Sequence, residues 1–269
     1  MDTPRNVNQD YLLSQQYRDI CNLAARINLH ERFSTNKYGW HLWAFDQLKL
    51  PEKCHILELG CGPAAFWAKN LARIPPGWEI TLSDLSPGMI AAAGQALADA
   101  GGHFDFLTCD AQALPFPERA FDCVIANHML YHVPDLDKAL AEVSRVLKPG
   151  GRFYASTIGQ NHLREMDDLV TAFDPTIIME HAAEFFSLEN GAAKLLPWFK
   201  KVELYRYENE LVITEGEPLA AYIISSVRIG PALTGNKLRL LKDFIATRLA
   251  SAGPIHITND TGLFEAVLE

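Results

Sequence analysis

Four polar side chains, Glu58, Asp84, Asp110 and Asn127, each stand at or just past the end of a short apolar run in the first half of this chain. Ile56-Leu57 leads to Glu58, Ile80 to Ser83 to Asp84, Phe104 to Thr108 to Cys109-Asp110, and Val124-Ile125-Ala126 to Asn127. One polar group at a strand end is ordinary, but four in order make a candidate ligand site. Directly after Glu58 come Gly60-Cys61-Gly62. Glycines let the chain turn sharply and bring bare N–H groups against a ligand, and a helix starting near Ala64 adds its positive N-terminal end. The stretch His55 to Pro63 therefore reads as a nucleotide-cofactor site. His128 and His132 lie four apart just after Asn127, and they share one face if this segment makes a helical turn. An unperturbed imidazole titrates near pH 6.5 and suits taking a proton from a hydroxyl or amine. Both are candidate general bases, His128 first.

The elements that must position these groups follow from hydrophobic patterning. Ile56, Leu57 and Leu59 form the near-continuous apolar run of a strand buried on both faces. Ala64 to Arg73 reads as a helix, Trp78 to Ser83 as a second strand, and Ser86-Pro87 as the cap and first turn of a helix running to about Ala100. Strands at His103 to Thr108, Ala120 to Asn127 and Arg152 to Thr157 follow, with a helix over Asp135 to Leu147 stopped by Pro149-Gly150-Gly151. Five strands alternating with helices predict right-handed crossovers, a parallel sheet, and a ligand at the strands' carboxyl ends. Before this core, residues 8 to 29 suit an amphipathic helix, and Phe33 to Leu48 is rich in aromatics. After it, Asn161 to Phe173 suits a helix within an inserted lid. Val202 to Tyr207 and Leu211 to Ile213 read as strands, Pro218 to Ser226 and Lys237 to Ala250 as helices, and Ile255 to Ile257 with Leu263 to Leu268 as terminal strand.

At 269 residues, 48% hydrophobic and 21% charged, the chain suits a soluble α/β protein with a sizeable core. No apolar run approaches the roughly 18 residues of a membrane span, and the polar N-terminus lacks a signal core, so a cytoplasmic protein is expected. The five cysteines have no C-x-x-C pairing and read as reduced core thiols, with no metal site implied. A net charge of −9 gives no electrostatic reason to bind nucleic acid.

The ordered series Glu58-Leu-Gly-Cys-Gly-Pro-Ala64, Asp84, Cys109-Asp110-Ala111, Ala126-Asn127 and Leu147-Lys-Pro-Gly-Gly151 resembles the class I S-adenosylmethionine-dependent methyltransferases, in the branch with the ubiquinone and menaquinone biosynthesis enzymes. The resemblance covers about residues 54 to 157. It implies a Rossmann-like, mainly parallel seven-stranded sheet whose last strand is antiparallel and comes from the Ile255 to Leu268 region. It further implies that the Gly60, Cys61, Gly62 and Ala64 loop wraps the methionine part of S-adenosylmethionine with Glu58 near its ammonium, and that Asp84 takes both ribose hydroxyls. Leu85 and Met89 would flank the adenine, Asp110 would accept from its exocyclic amine, the Ala111 N–H would donate to a ring nitrogen, and the Asn127 backbone carbonyl would meet the methionine moiety. The family often has glycine where this chain has Ala64.

Two other readings compete. Gly60-x-Gly62-x-x-Ala65 followed by Asp84 also fits an NAD(P)-dependent oxidoreductase, against which stand Glu58 in the strand end, Asp110 and Lys148-Pro-Gly-Gly151. A non-catalytic S-adenosylmethionine-binding module is compatible with every residue. The absence of Asn/Asp-Pro-Pro-Tyr/Phe after strand four, where the text is Asn127-His-Met-Leu130, disfavours a nucleobase amine as acceptor. The expected acceptor is a small, partly apolar molecule, enclosed by Tyr11, Tyr17, Tyr38 and Trp40 from the N-terminal side and by the lid that carries His162. The expected organisation is a helical cover over 1–50, a cofactor-binding α/β core over 51–158, a lid over 159–200, and the rest of the core with a helical insertion over 201–269. Acceptor atom and oligomeric state are left open.

Overall fold

A computed structural model of the chain describes residues 8–9, 21–177, 182–226 and 233–269. Its centre is a seven-stranded sheet built from β1 (Lys53–Leu59), β2 (Gly77–Asp84), β3 (Phe104–Thr108), β4 (Phe121–Asn127), β5 (Leu147–Ile158), β6 (Lys201–Tyr207) and β9 (Thr261–Val267), in the order β3-β2-β1-β4-β5-β9-β6. β1 to β5 pair in parallel, and β9 alone runs antiparallel, inserted between β5 and β6. The Rossmann-like sheet with one antiparallel strand from the end of the chain is therefore present.

The period-2 alternation of strand side chains sorts the core into two layers. Leu57, Leu59, Val124, Ala126, Phe153, Ala155, Phe264 and Ala266 face one way, onto Ala139, Leu140, Val143 and Val146 of α5 (Leu136–Val146). Cys54, Ile56, Cys123, Ile125 and Tyr154 face the other, onto Phe66 and Trp67 of α3 (Ala65–Asn70) and Ala93 of α4 (Pro87–Ala96). Each fully buried aliphatic or aromatic side chain contributes about 1.5–3 kcal/mol, and these two layers hold β1 and β4, the strands that deliver Glu58 and Asn127.

Two local readings differ from the fold. Pro149-Gly150-Gly151 does not separate helix from strand: β5 already begins at Leu147, and the glycines form an irregularity inside it, between the Phe121↔Leu147 and Cys123↔Arg152 pairs. Gly150 sits at φ +75, and a Cβ on Gly151 would lie 2.7 Å from the Lys148 carbonyl, so the chain kinks there without leaving the sheet. The terminal segment also divides. β8 (Ile255–Thr258) pairs with β7 (Glu210–Ile213) in a separate two-stranded sheet, and only β9 enters the main one. The turn between them is pinned where Gly159 N–H donates to the Asp260 carbonyl at 2.9 Å.

A further apolar cluster gathers remote pieces of sequence. Leu29 and Phe33 of α1 (Cys21–Phe33) and Met166, Leu169 and Val170 of α6 (Arg164–Phe173) pack with Leu211, Ile213, Ile255 and Ile257 of the small sheet. α8 (Gly216–Ile224) and α9 (Gly235–Ala252) complete it through Leu219, Ile223, Leu241 and Ile245. The short α2 (Trp40–Asp46) packs beside α3, and Phe186, Leu188, Leu195 and Phe199, around α7 (Gly191–Leu195), join the main core.

Candidate active site

The sheet's carboxyl edge converges on Glu58. Its side chain is buried on β1, where Oε2 accepts from Trp67 Nε1 at 2.6 Å and Oε1 accepts from Asn127 Nδ2 at 2.9 Å. Burial pushes its pKa up to about 7; the two hydrogen bonds oppose that shift and the charge of Asp84 adds to it.

The loop that follows turns through three left-handed residues, Gly60 at φ +63, Gly62 at φ +54 and Ala64 at φ +57. Cys61 N–H donates to the Ser83 carbonyl, folding the loop over the end of β2. A Cβ at Gly60 would meet Met129 Cβ at 2.8 Å, whereas one at Gly62 would enter open space. Ala64 adopts the left-handed conformation that favours glycine and is wholly buried.

Asp84 closes β2 and fixes this loop, Oδ2 accepting from Gly62 N–H at 3.0 Å and Oδ1 from Ser86 N–H at 2.8 Å. Burial raises its pKa against bonds from the Ser86, Gly62 and Leu85 amides. Ser86 caps α4, accepting from Met89 N–H, with Pro87 in the first turn. Past β3, Asp110 accepts from Gln9 Nε2 at 3.0 Å and Gln112 N–H at 2.9 Å. Burial pushes the Asp110 carboxyl up, but its bonds to Gln112 and Gln9 outweigh that and hold it below the usual range.

One cavity of about 940 Å³ is lined by Glu58, Gly60, Cys61, Gly62, Asp84, Leu85, Met89, Asp110, Ala111 and Asn127, and it continues past them to Tyr38, Trp40, His128, His132 and His162. Ala64 does not line it; Pro63 and Ala65 do. Tyr11 and Tyr17 lie outside the described residues. The helical turn that would place His128 and His132 on one face does not include His128: that residue follows directly on β4, which ends at Asn127, with φ +52, and a short 3-10 turn spans only Leu130–His132.

Beyond the strand ends the walls are rings. Trp40 lies 5.1 Å from the His128 ring and 5.4 Å from Tyr207, centre to centre. His30 stacks on His162 at 6.4 Å and meets Tyr222 edge-on at 6.1 Å. Burial lowers these three imidazoles and that of His41, which also lines the cavity: His30 and His41 to about 4, His128 and His162 to about 3, so each is neutral at pH 7. Nδ1 of His41 and of His162 is buried and has no hydrogen-bond partner among the described residues. Sequence reasoning does not single out His30, His41, Tyr207 or Tyr222. His30 lies just past the helical pattern over 8 to 29, His41 falls in the aromatic-rich segment read as packing, Tyr222 lies in an apolar helical pattern and Tyr207 ends a strand, so only tertiary contact exposes their role.

Glu58, which is buried, and Asp84, which is partly buried, are acids without a salt-bridge partner among the described residues, and both line the cavity. Such acids ask for a cation or for hydroxyl donors. The Asp84 oxygens accept from backbone amides and keep accepting capacity, since an ionised carboxylate offers about four lone-pair sites. The Gly62 Cα faces open space. A ligand with an ammonium group and a diol fits this donor and acceptor set.

Residues 57–155 match the family model described as methyltransferase domain. Over 115 residues the chain is 36% identical to the ubiquinone/menaquinone biosynthesis C-methyltransferase UbiE of Pasteurella multocida, an overlap of 42% of this chain and 43% of that protein. The chain thus matches less than half the length of that relative. Among solved structures, YcgJ of Bacillus subtilis is similar at a TM-score of 0.57 and 18% identity, covering 85% of this chain and 97% of that one. The Haemonchus contortus phosphoethanolamine N-methyltransferase 2, solved with S-adenosyl-L-methionine, is similar at a TM-score of 0.60 and 18% identity, covering 99% of this chain and 60% of that one. These two likenesses concern the fold. The matched stretch is the one that carries Glu58, the Gly60–Gly62 turn, Asp84, Asp110 and Asn127 to one rim, and over it the chain is similar to the methyltransferase-domain family and to the ubiquinone/menaquinone biosynthesis C-methyltransferases.

Proposed function

We propose that the chain transfers a methyl group from S-adenosylmethionine to a small, partly apolar acceptor by in-line displacement. The observation that carries this reading is the continuity of one cavity from the acids Glu58 and Asp84 to the ring-walled half around Trp40, His128 and His162. When bound, S-adenosylmethionine supplies an activated methyl on a sulfonium whose positive charge is lost on transfer.

The chain's own residues have three tasks. Glu58 and Asp84 bind and orient, since charge-assisted bonds are about twice as strong as neutral ones. Trp40, Tyr207 and Tyr222 exclude water and offer π faces, worth up to about 2 kcal/mol to a desolvated cation. His128 is the first choice to take a proton from an acceptor hydroxyl or amine, with His132 second; burial keeps His128 unprotonated and free to accept, while making it a weaker base than a free imidazole. Holding the acceptor in line contributes as much as about 7–11 kcal/mol, and a general base about 3–5 kcal/mol, so alignment dominates. Tyr38 and His162 are proposed as acceptor-side walls. Leu85, Met89, Asp110 and Ala111 are proposed to hold the adenine, and the Asn127 carbonyl to meet the methionine moiety. Nucleic acid is not the proposed partner.

Calorimetry with S-adenosylmethionine, S-adenosylhomocysteine and NADH tests the cofactor, followed by a small-metabolite screen for methyl transfer. Binding of NADH with neither of the sulfur cofactors binding would sink the reading, and faster methylation of tRNA, rRNA or DNA than of any metabolite would sink the acceptor class.

A further inference from the structure

Behind the cavity wall, a single run of hydrogen bonds joins the two halves of the site. Trp67 Nε1 donates to Glu58 Oε2 at 2.6 Å and Asn127 Nδ2 donates to Glu58 Oε1 at 2.9 Å. Ser156 Oγ donates to Asn127 Oδ1 at 3.1 Å, and His128 N–H donates to Ser156 Oγ at 3.0 Å and to the Ser156 carbonyl at 3.2 Å. Ser156 is fully buried on β5, directly opposite Asn127 in the β4–β5 pairing. It is absent from the cavity lining, so it meets a ligand only through its neighbours.

We propose that Ser156 is a positioning residue, which locks the Asn127 amide and the His128 backbone into one arrangement and so ties the state of Glu58 to the geometry of the acceptor side. The proposal rests on the methyltransferase reading only for what the two halves hold. A hydroxyl has one proton. Because His128 N–H occupies an acceptor position on Ser156 Oγ, the hydroxyl proton is left for Asn127 Oδ1. With Oδ1 held there, the amide can present only its N–H to Glu58, and an N–H favours the carboxylate over the acid. Without the hydroxyl the amide is free to turn, and an amide oxygen against Glu58 Oε1 is tolerated only by the protonated acid, which donates to it. The same hydroxyl anchors His128, whose φ of +52 is a conformation that L side chains rarely adopt.

The groups that face Glu58 set the readout. They are Trp67 from α3, Asn127 from β4, and the titratable Asp84 from β2 and Cys61 from the loop. Trp67 Nε1–H, bonded to the carboxylate, reports its proton directly by NMR with no cofactor present. In the wild-type full-length chain this resonance should titrate near neutral pH, and Glu58→Gln should abolish the titration.

Ser156→Ala should move the midpoint up by about one pH unit, the size of one weakened hydrogen bond to a charged group, and Ser156→Thr, which keeps the hydroxyl, should restore it. Calorimetry with S-adenosylhomocysteine should follow: with the midpoint about one pH unit higher, the alanine variant binds less than about twofold more weakly at pH 9 and nearly tenfold more weakly at pH 6. If Ser156→Ala does not fold, Ser156→Cys, with a weak S–H donor, takes its place. A wild-type resonance that does not titrate, or a variant whose midpoint is unmoved while its melting temperature falls, overturns the proposal and reduces Ser156 to packing. A shifted midpoint in a protein that never binds S-adenosylhomocysteine upholds the lock and overturns the cofactor reading instead.

Discussion

The two halves of the cavity are built on opposite principles. On the cofactor side the acids are already engaged by the chain: Glu58 by Trp67 and Asn127, Asp84 by the Gly62 and Ser86 amides, Asp110 by Gln9 and Gln112. On the acceptor side the imidazoles of His30, His128 and His162 touch other rings, and Nδ1 of His162 has no hydrogen-bond partner among the described residues. The first half is acidic and held by hydrogen bonds, the second neutral and aromatic. A fixed cofactor needs the former; a wall of rings with unspent nitrogens leaves recognition to the acceptor's shape and to a few hydrogen bonds.

The sharpest way to break this contrast is to remove a group that serves only one half. With an acceptor that needs deprotonation, His128→Ala should lower kcat by roughly 10² to 10⁴ while S-adenosylhomocysteine affinity stays nearly unchanged. Because burial holds His128 neutral down to about 3, wild-type kcat should carry no acid limb near pH 6.5 from this residue. Alanine variants at both His128 and His132 retaining near-wild-type kcat from pH 6 to 9 would leave alignment as the whole mechanism.

Opposite signs of pH dependence come next. The folded pKa of His30, His41, His128 and His162 lies below the unfolded 6.5, so their contribution to stability is complete above pH 6.5 and is lost as pH falls through about 4 and 3. Glu58 is displaced the other way, from 4.5 to about 7, so its contribution is present below pH 4.5 and lost as pH rises through 7. A pKa displaced by one pH unit corresponds to about 1.4 kcal/mol at most. Melting curves should therefore show His162→Gln flattening the loss of stability on the acid side and Glu58→Gln flattening the loss that accompanies a rise in pH from 4.5 to 7. Identical pH profiles in the two variants would dissolve the distinction between the halves.

Asp84→Ala tests the cofactor half alone. It removes the acceptor of both loop amides and, on the proposed reading, of the ribose hydroxyls, so S-adenosylmethionine binding should weaken by at least about 1.5 kcal/mol. Calorimetry showing unchanged affinity would remove Asp84 from the site.

How far the sequence disclosed this arrangement depends on how local each signal is. Glu58, Asp84 and Asn127 were legible because each stands at the end of a short, largely buried strand, and Asp110 because it follows the alternating run of the edge strand β3, so polarity breaks an apolar pattern within a few residues. The Ser86-Pro87 cap was legible for the same reason. The ring wall was legible only in part: His162 was singled out on the lid, but its partners His30 and Tyr222 come from two other, distant segments, and nothing in the neighbourhood of any one marks the others. His128 stands out by its type and place, but its left-handed backbone depends on Ser156 in the next strand. The division of the terminal segment between two sheets is likewise set by the partner strands, β7 for Ile255–Thr258 and β5 and β6 for Thr261–Val267, and not by the apolar pattern itself.

The smallest expected effect separates two glycines of one loop. Both have positive φ, so an alanine at either pays a left-handed backbone cost of roughly 1–2 kcal/mol. Their surroundings differ. At Gly60 the added Cβ lands 2.8 Å from Met129 Cβ, which packs against the core cluster that holds Leu130, and Met129 must shift to admit it. At Gly62 the added methyl meets nothing within 4 Å and projects beside the N–H that bonds Asp84. Gly60→Ala should therefore lower the melting temperature more than Gly62→Ala, whereas Gly62→Ala should weaken S-adenosylhomocysteine binding out of proportion to its small loss of stability, because the methyl occupies space the cofactor needs. If Gly62→Ala binds as tightly as wild type, the open space at Gly62 is not part of the cofactor's path, and the loop serves the fold alone.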